Sequence, residues 1–166
     1  LFPYTTLFRS EELAGRMPEY QFIWFGYTPE LQIPKKVRDA IHTDLPNLTF
    51  AGYVPKEELK KAYSSCDLFL FPSYEETEGI VVLEALSSQI PVILRDIPVY
   101  QNWLENGRDV YKCRNNDEFW VRAHQVLKHQ IPLLTDSGRM RAKERDVLCQ
   151  ARKLKYYYSV LCKKSA

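Results

Sequence analysis

Short apolar runs alternate along the chain with longer segments whose apolar residues recur at helical spacing, and this alternation limits the possible folds more than any other feature. The runs are QFIWFGY (21–27), LTFAGYV (48–54), DLFLFP (67–72) and PVILR (91–95). Each is too short for an ordinary helix and rich in β-branched or aromatic residues, which predicts strands. LFLF is apolar on both faces, as a strand inside a parallel sheet must be. A shorter fifth strand is predicted at 110–112. Helices are predicted at 11–17 (stopped by Pro18), 33–43, 56–66, 80–88 and 116–128, the last with a cap ahead of Asp117 and Glu118. One or two helical turns follow at 99–105. Residues 135–163 read as helix, with a break near Arg152. Strands alternating with helices predict an α/β, Rossmann-like parallel sheet with helices on both faces. In such sheets ligands bind beyond the carboxyl ends of the strands.

The 166 residues suit one domain, and 45% hydrophobic with 27% charged residues is a globular composition. A net charge of +2 is too small to argue for nucleic acid. Basic residues gather between Arg139 and Lys164, as a solvated helix face or a peripheral contact with an anionic membrane. The four cysteines have no metal-ligand spacing and read as free thiols of a reducing, cytoplasmic compartment. No apolar run approaches the length of a membrane span. The opening LFPYTTLFRS resembles the translation of a common sequencing-library adapter, so residues 1–10 are set aside from fold reasoning. The expected domain is therefore 11–166, the tail of a longer chain.

SYEETEGIVVLEAL (73–86) carries the chemistry. Acids before a helix are ordinary, but Glu84 lies inside the apolar stretch and needs another reason. Gly79 lets backbone approach a ligand, and the N–H groups of Gly79, Ile80 and Val81 at a helix start form an anion site. Glu84, one turn further, can accept hydrogen bonds from a vicinal diol such as ribose. Glu76, in the loop before, can hold another polyhydroxylated group. Phosphate in the middle with hydroxyls at both ends describes a nucleotide-sugar.

FPSYEETEGIVVLEALSSQIPVILRDIPVY, preceded by FAGYV and the CDLFLFPS strand, resembles the signature of family 4 retaining glycosyltransferases of the GT-B fold, with its Glu-x7-Glu motif at Glu76 and Glu84. The resemblance implies the C-terminal, donor-binding half of that fold. It places Glu76 on the transferred sugar, as the catalytic residue, and Glu84 on the ribose. It places the amides of Gly79 to Val81 on the diphosphate, the turn at Gly52, Tyr53 and Val54 against the base, and Gly26 near the phosphates. Glu78 departs from the commoner Glu-Gly-Phe-Gly pattern and is expected to point away or towards a sugar hydroxyl. With Arg95-Asp96-Ile97-Pro98, it is similar to the subgroup that glucosylates diacylglycerol in bacteria. That resemblance implies UDP-glucose as donor, no cofactor or metal, and a membrane-lipid acceptor at the inner membrane face. It also implies a separate acceptor domain and a cationic diphosphate clamp upstream of Glu11. No Asp-x-Asp pair occurs.

Several readings remain open in the sequence. Glu75 and Glu78 are solvated helix-start acids or ligand groups, and Tyr53 and Trp24 are core or base-stacking aromatics. His42, His124 and His129 show no partner pattern and are read as surface residues. Tyr156-Tyr157-Tyr158 is read as packing of a terminal helix that can be left exposed. A non-catalytic nucleotide-binding or interaction module on the same fold is the alternative to a glycosyltransferase.

Overall fold

Five short strands form in the computed structural model, which describes residues 4–26 and 35–164. They are β1 (Phe22–Phe25), β2 (Leu48–Gly52), β3 (Phe69–Phe71), β4 (Val92–Arg95) and β5 (Tyr111–Cys113). Every predicted strand is present, the first four trimmed and the fifth shifted by one residue, from 110–112 to Tyr111–Cys113. Tyr27, which closes the first run, and residues 33–34 of a predicted helix lie outside the described residues. The helices are α1 (Tyr4–Arg16), α2 (Lys35–Ile41), α3 (Lys56–Ser65), α4 (Ile80–Ser87), α5 (Asn116–Leu127), α6 (Thr135–Glu144) and α7 (Val147–Lys164). Helix α1 thus begins inside the segment that resembles an adapter. The predicted helical turns at 99–105 reduce to a single 3-10 turn, Pro98–Tyr100.

All ladders are parallel, in two groups: β1 with β2, and β3-β4-β5 with β4 central. Alternation along the strands sorts the core into two layers. Val92 and Leu94 of β4 pack with Val82, Ala85 and Leu86 of α4 and with Tyr63 of α3. Ile93 faces the other way, joining Leu13 and Met17 of α1 and Phe119, Ala123 and Val126 of α5. Helices α1, α2 and α5 therefore cover one face, and α3, α4 and α6 the other.

Local chemistry explains the helix ends. The Asn47 amide, 4% exposed, donates to the carbonyls of Ala14, Met17 and Tyr20 at 2.9–3.0 Å. It thereby adds a second donor to the Ala14 and Met17 carbonyls, which already accept the Met17 and Tyr20 N–H groups at 3.1 Å, and ties the Tyr20 carbonyl to the end of α1. Asn115 caps α5, accepting the Glu118 N–H at 2.9 Å, so the predicted cap is present. The predicted break near Arg152 falls instead at Arg145–Asp146. The Asp146 carboxylate accepts the Cys149 N–H at 2.6 Å and starts a new helix, while Arg152 sits inside α7. That hydrogen bond also holds the Asp146 carboxyl below its ordinary pKa. Gly138 lets α6 meet α4, since a Cβ there would lie 2.7 Å from Leu86 Cδ2 and 2.9 Å from the Asp109 carbonyl.

Candidate functional site

The loop from Pro72 to Gly79 leaves the carboxyl end of β3 and delivers the chain to α4. Its first part is fixed. Pro72 and Ser73 are buried, and the Ser73 hydroxyl donates to the Glu75 carbonyl at 2.8 Å. Arg95, at the end of β4 and 1% exposed, lies beneath it. Its guanidinium sits 4.3 Å from the Tyr74 ring centroid and 4.8 Å from that of Phe119, and it donates to Asn116 Oδ1 at 2.8 Å. Burial lowers its pKa. Cation–π contacts of this desolvated kind hold a loop from below.

Gly79 closes the loop in the left-handed region, φ 67° and ψ 44°. Glycine is required there twice. A side chain would strain the backbone, and its Cβ would fall 2.6 Å from the Tyr100 hydroxyl. Helix α4 has no side-chain cap, and its first turn carries no acid. The Val82 N–H makes the first helical bond, to the Gly79 carbonyl at 2.9 Å. The amides of Gly79, Ile80 and Val81 precede it, as an anion site at a helix start needs.

The two carboxylates of the motif occupy different settings. Glu76 is half-buried, and its Oε1 accepts the Thr77 N–H at 3.0 Å. Glu84 is half-buried on α4, and its Oε2 accepts the Tyr63 hydroxyl at 3.3 Å. Among the described residues neither is in a salt bridge. Burial and then the nearby Glu84 charge raise the Tyr63 pKa, so the phenol stays a donor. Tyr100 is likewise raised by burial and then by Glu76. It is fully buried, and its hydroxyl has no hydrogen-bond partner among the described residues.

The other predicted residues are more scattered. Glu78 and Ile80 are exposed and Val81 half-buried. Tyr53 is 79% exposed, which removes the core reading for it, and Val54 beside it is half-buried. Both follow Gly52, which has φ 65° as a tight turn requires. Gly26 makes room for a neighbouring ring. A Cβ there would lie 2.5 Å from Trp24 Cη2, so the missing side chain makes room for the Trp24 ring, which also packs on Phe50. A cleft of about 780 Å³ opens between β1 and β3. Of the predicted site residues it takes in Glu76 and Val81; Glu84, Glu78, Gly79, Ile80, Gly26, Tyr53 and Val54 lie outside its lining.

Three contributors went unrecognised in the sequence. Tyr63 reads as one apolar position of α3, and Arg95 and Tyr100 lie within the quoted signature without a role of their own. His124 also differs from expectation: its side chain is 18% exposed, with Nε2 2.9 Å from a Glu19 carboxylate oxygen and the ring against Trp120. Tyr156, Tyr157 and Tyr158 are exposed on α7. No group of His, Cys, Asp or Glu among the described residues could hold a metal ion.

Residues 8–129 match the family described as glycosyl transferases group 1. The chain belongs to that family. The glycosyltransferase chain is 40% identical over 152 residues to the processive diacylglycerol alpha-glucosyltransferase of Acholeplasma laidlawii, covering 92% of this chain and 46% of that protein. It therefore spans about half the length of that relative. The Anabaena protein Alr3699/HepE, solved in complex with UDP and glucose, superposes with a TM-score of 0.80 at 18% identity, over 96% of this chain and 46% of that one. The C-terminal domain of a group 1 glycosyltransferase (LpcC) from Francisella tularensis superposes with a TM-score of 0.64 at 16% identity, over 85% of this chain and 78% of that one. These likenesses show the α/β fold of GT-B glycosyltransferases.

Proposed function

We propose that this glycosyltransferase domain is the donor-binding portion of a retaining enzyme that moves glucose from UDP-glucose to a membrane lipid. The observation that carries the reading is the arrangement around α4: an uncapped helix start behind a left-handed glycine, flanked by two carboxylates that are in no salt bridge among the described residues. Diphosphate oxygens accept from the amides of Gly79, Ile80 and Val81. Glu84, steadied by the Tyr63 hydroxyl, takes the ribose diol. Glu76, braced by Thr77 and by the loop over Arg95, takes hydroxyls of the transferred sugar. Exposed Tyr53, with Val54, offers a surface for the base, and Gly26 lies nearer the phosphates. Glu78, exposed, points to solvent or to a sugar hydroxyl.

Chemically, these groups stabilise the negative charge that grows on the departing nucleoside diphosphate, the term that dominates such transfers. Support for a lipid acceptor comes from the 40% identity to a diacylglycerol glucosyltransferase. Among the described residues no helix is long and apolar enough to cross a membrane. We place the parent at the cytoplasmic membrane face, held peripherally, with its acceptor domain in the part of the parent outside these 166 residues. The 166-residue chain alone then transfers no sugar in a radiolabelled assay.

Calorimetry with UDP-glucose, UDP and GDP tests donor binding. Glu84→Ala removes charge-assisted hydrogen bonds of about 1.5–3 kcal/mol, which weakens UDP-glucose by about 10- to 150-fold. Equal affinity of wild type and Glu84→Ala would sink the assignment. Measurable nucleotide binding with no transfer by the full-length parent favours a non-catalytic module.

A further inference from the structure

We infer that Tyr100 is a positioning residue for Glu76: its buried hydroxyl donates to that carboxylate once the donor sugar is bound. The inference rests on the donor-site reading above and adds a residue to it. Three tyrosines are buried among the described residues, Tyr63, Tyr100 and Tyr111. The Tyr63 hydroxyl lies 3.3 Å from Glu84 Oε2, and the Tyr111 hydroxyl donates to the Pro132 carbonyl at 2.8 Å. Tyr100, 0% exposed, has no hydrogen-bond partner for its hydroxyl among the described residues. Buried hydroxyls are nearly always paired, because an unmade bond loses hydration with nothing in return. Phenylalanine would fill the same space without that loss, so packing alone does not account for the oxygen.

The ring is fixed, and its oxygen lies against the end of the acidic loop. Tyr100 ends the 3-10 turn Pro98–Tyr100, its N–H donates to the Ile97 carbonyl at 3.1 Å, and its carbonyl accepts Lys112 Nζ at 3.1 Å. Trp103 packs edge-on against the ring, with centroids 6.0 Å apart. Held in this way, the hydroxyl sits behind Gly79, where a Cβ would fall 2.6 Å from it. Gly79 stands three residues beyond Glu76, and the chain bends at Thr77 and Glu78 between them. Burial and then the Glu76 charge hold the phenol above its ordinary pKa. A protonated phenol within the field of a carboxylate is a donor with an acceptor at hand.

With this bond the two acids of the motif have matching supports. Glu84 is tied to α3 through the Tyr63 hydroxyl. Glu76 accepts the N–H of its own neighbour, Thr77, at 3.0 Å, a bond that travels with the loop and does not fix the carboxylate against the core. A carboxylate gains most from a sugar's hydroxyls when it is already held in one geometry. Donation from Tyr100 supplies that hold from the rigid side. It also leaves acceptor sites for the hexose, since a carboxylate offers about four. No proton is transferred: the phenol donates and stays protonated, and Tyr100 acts through Glu76 without touching the sugar.

Calorimetry on the 166-residue chain with UDP-glucose and with UDP tests this, for wild type, Tyr100→Phe, Glu76→Ala and the double variant. Tyr100→Phe is expected to weaken UDP-glucose by about 10-fold, the loss of one charge-assisted hydrogen bond. It should weaken UDP by less than about twofold, because UDP carries no hexose for Glu76. In the Glu76→Ala background the same substitution should change UDP-glucose affinity by less than about twofold. Urea unfolding without ligand should place the Tyr100→Phe midpoint at or above that of wild type, since the hydroxyl has no partner to lose. Equal weakening of UDP and UDP-glucose overturns the inference, because the hydroxyl then serves the diphosphate or the fold. So does an unchanged UDP-glucose affinity, an undiminished effect without Glu76, or a lower unfolding midpoint. Those results leave the donor-site reading standing, whereas a wild-type chain that binds neither ligand overturns both.

Discussion

Replacing Gly79 by alanine isolates the geometry on which the α4 start depends. Two separable effects act at this position. The left-handed conformation, φ 67° and ψ 44°, disfavours an L side chain by about 1–2 kcal/mol. The new Cβ would also lie 2.6 Å from Tyr100 Oη and 2.8 Å from Tyr100 Cε1. Tyr100 is 0% exposed and packed on Trp103, so its ring has little room to retreat, and overpacking of this kind costs about 1–3 kcal/mol. Together Gly79→Ala is expected to destabilise by about 2–5 kcal/mol. A double-mutant cycle with Tyr100→Leu separates the two effects, because the backbone strain survives in that background and the collision does not. Urea unfolding followed by circular dichroism on the four proteins should therefore give a coupling of about 1–3 kcal/mol. A Gly79→Ala cost below about 1 kcal/mol, or the same cost in both backgrounds, refutes the reasoning.

Gly138→Ala on α6 gains about 1 kcal/mol of helix propensity but drives a Cβ to 2.9 Å from the Asp109 carbonyl, a backbone atom that cannot turn aside. The expected balance is a loss of up to about 2 kcal/mol in urea unfolding, and a gain in stability contradicts the α4–α6 packing. Burial pushes the Cys113 thiol from its ordinary 9.0 up to about 12. The unfolded chain therefore releases that proton first. The thiol's contribution is complete below about pH 9 and is lost as the pH rises towards 12. The stability gap between wild type and Cys113→Ala should narrow between pH 8 and pH 11, by at most about 2–3 kcal/mol, and a constant gap contradicts a buried protonated thiol.

The strands were legible because a short, doubly buried segment has little choice of composition. All four residues of Val92–Arg95 are buried, and the run PVILR announces it. The acids of the motif were legible for the opposite reason, since Glu84 stands where an apolar helix face has no use for a charge. Neighbour relations were not. Periodicity marks Phe22–Phe25 and Phe69–Phe71 as strands but is silent on whether they touch, and the gap between them emerges only in three dimensions. Single hydroxyls and cations were equally hidden. Arg95 ends a strand, where solvent is the ordinary expectation, yet Tyr74 and Phe119 cover it. Tyr63 and Tyr100 look like core aromatics, and their burial agrees. What distinguishes them is where one oxygen lies: at the Glu84 carboxylate for Tyr63, and in the space that a Cβ on Gly79 would fill for Tyr100. The misplaced helix break has the same origin, a single Asp146 oxygen that caps α7.

The central claim is that one nucleotide-sugar lies across the start of α4 with Glu84 on its ribose and Glu76 on its hexose. Saturation-transfer NMR with UDP-glucose on the full-length parent reads that orientation proton by proton. Glu84→Ala is expected to depress the ribose signals most and Glu76→Ala the glucose signals most. Identical epitope maps for the two variants, or the reverse assignment, would contradict the account.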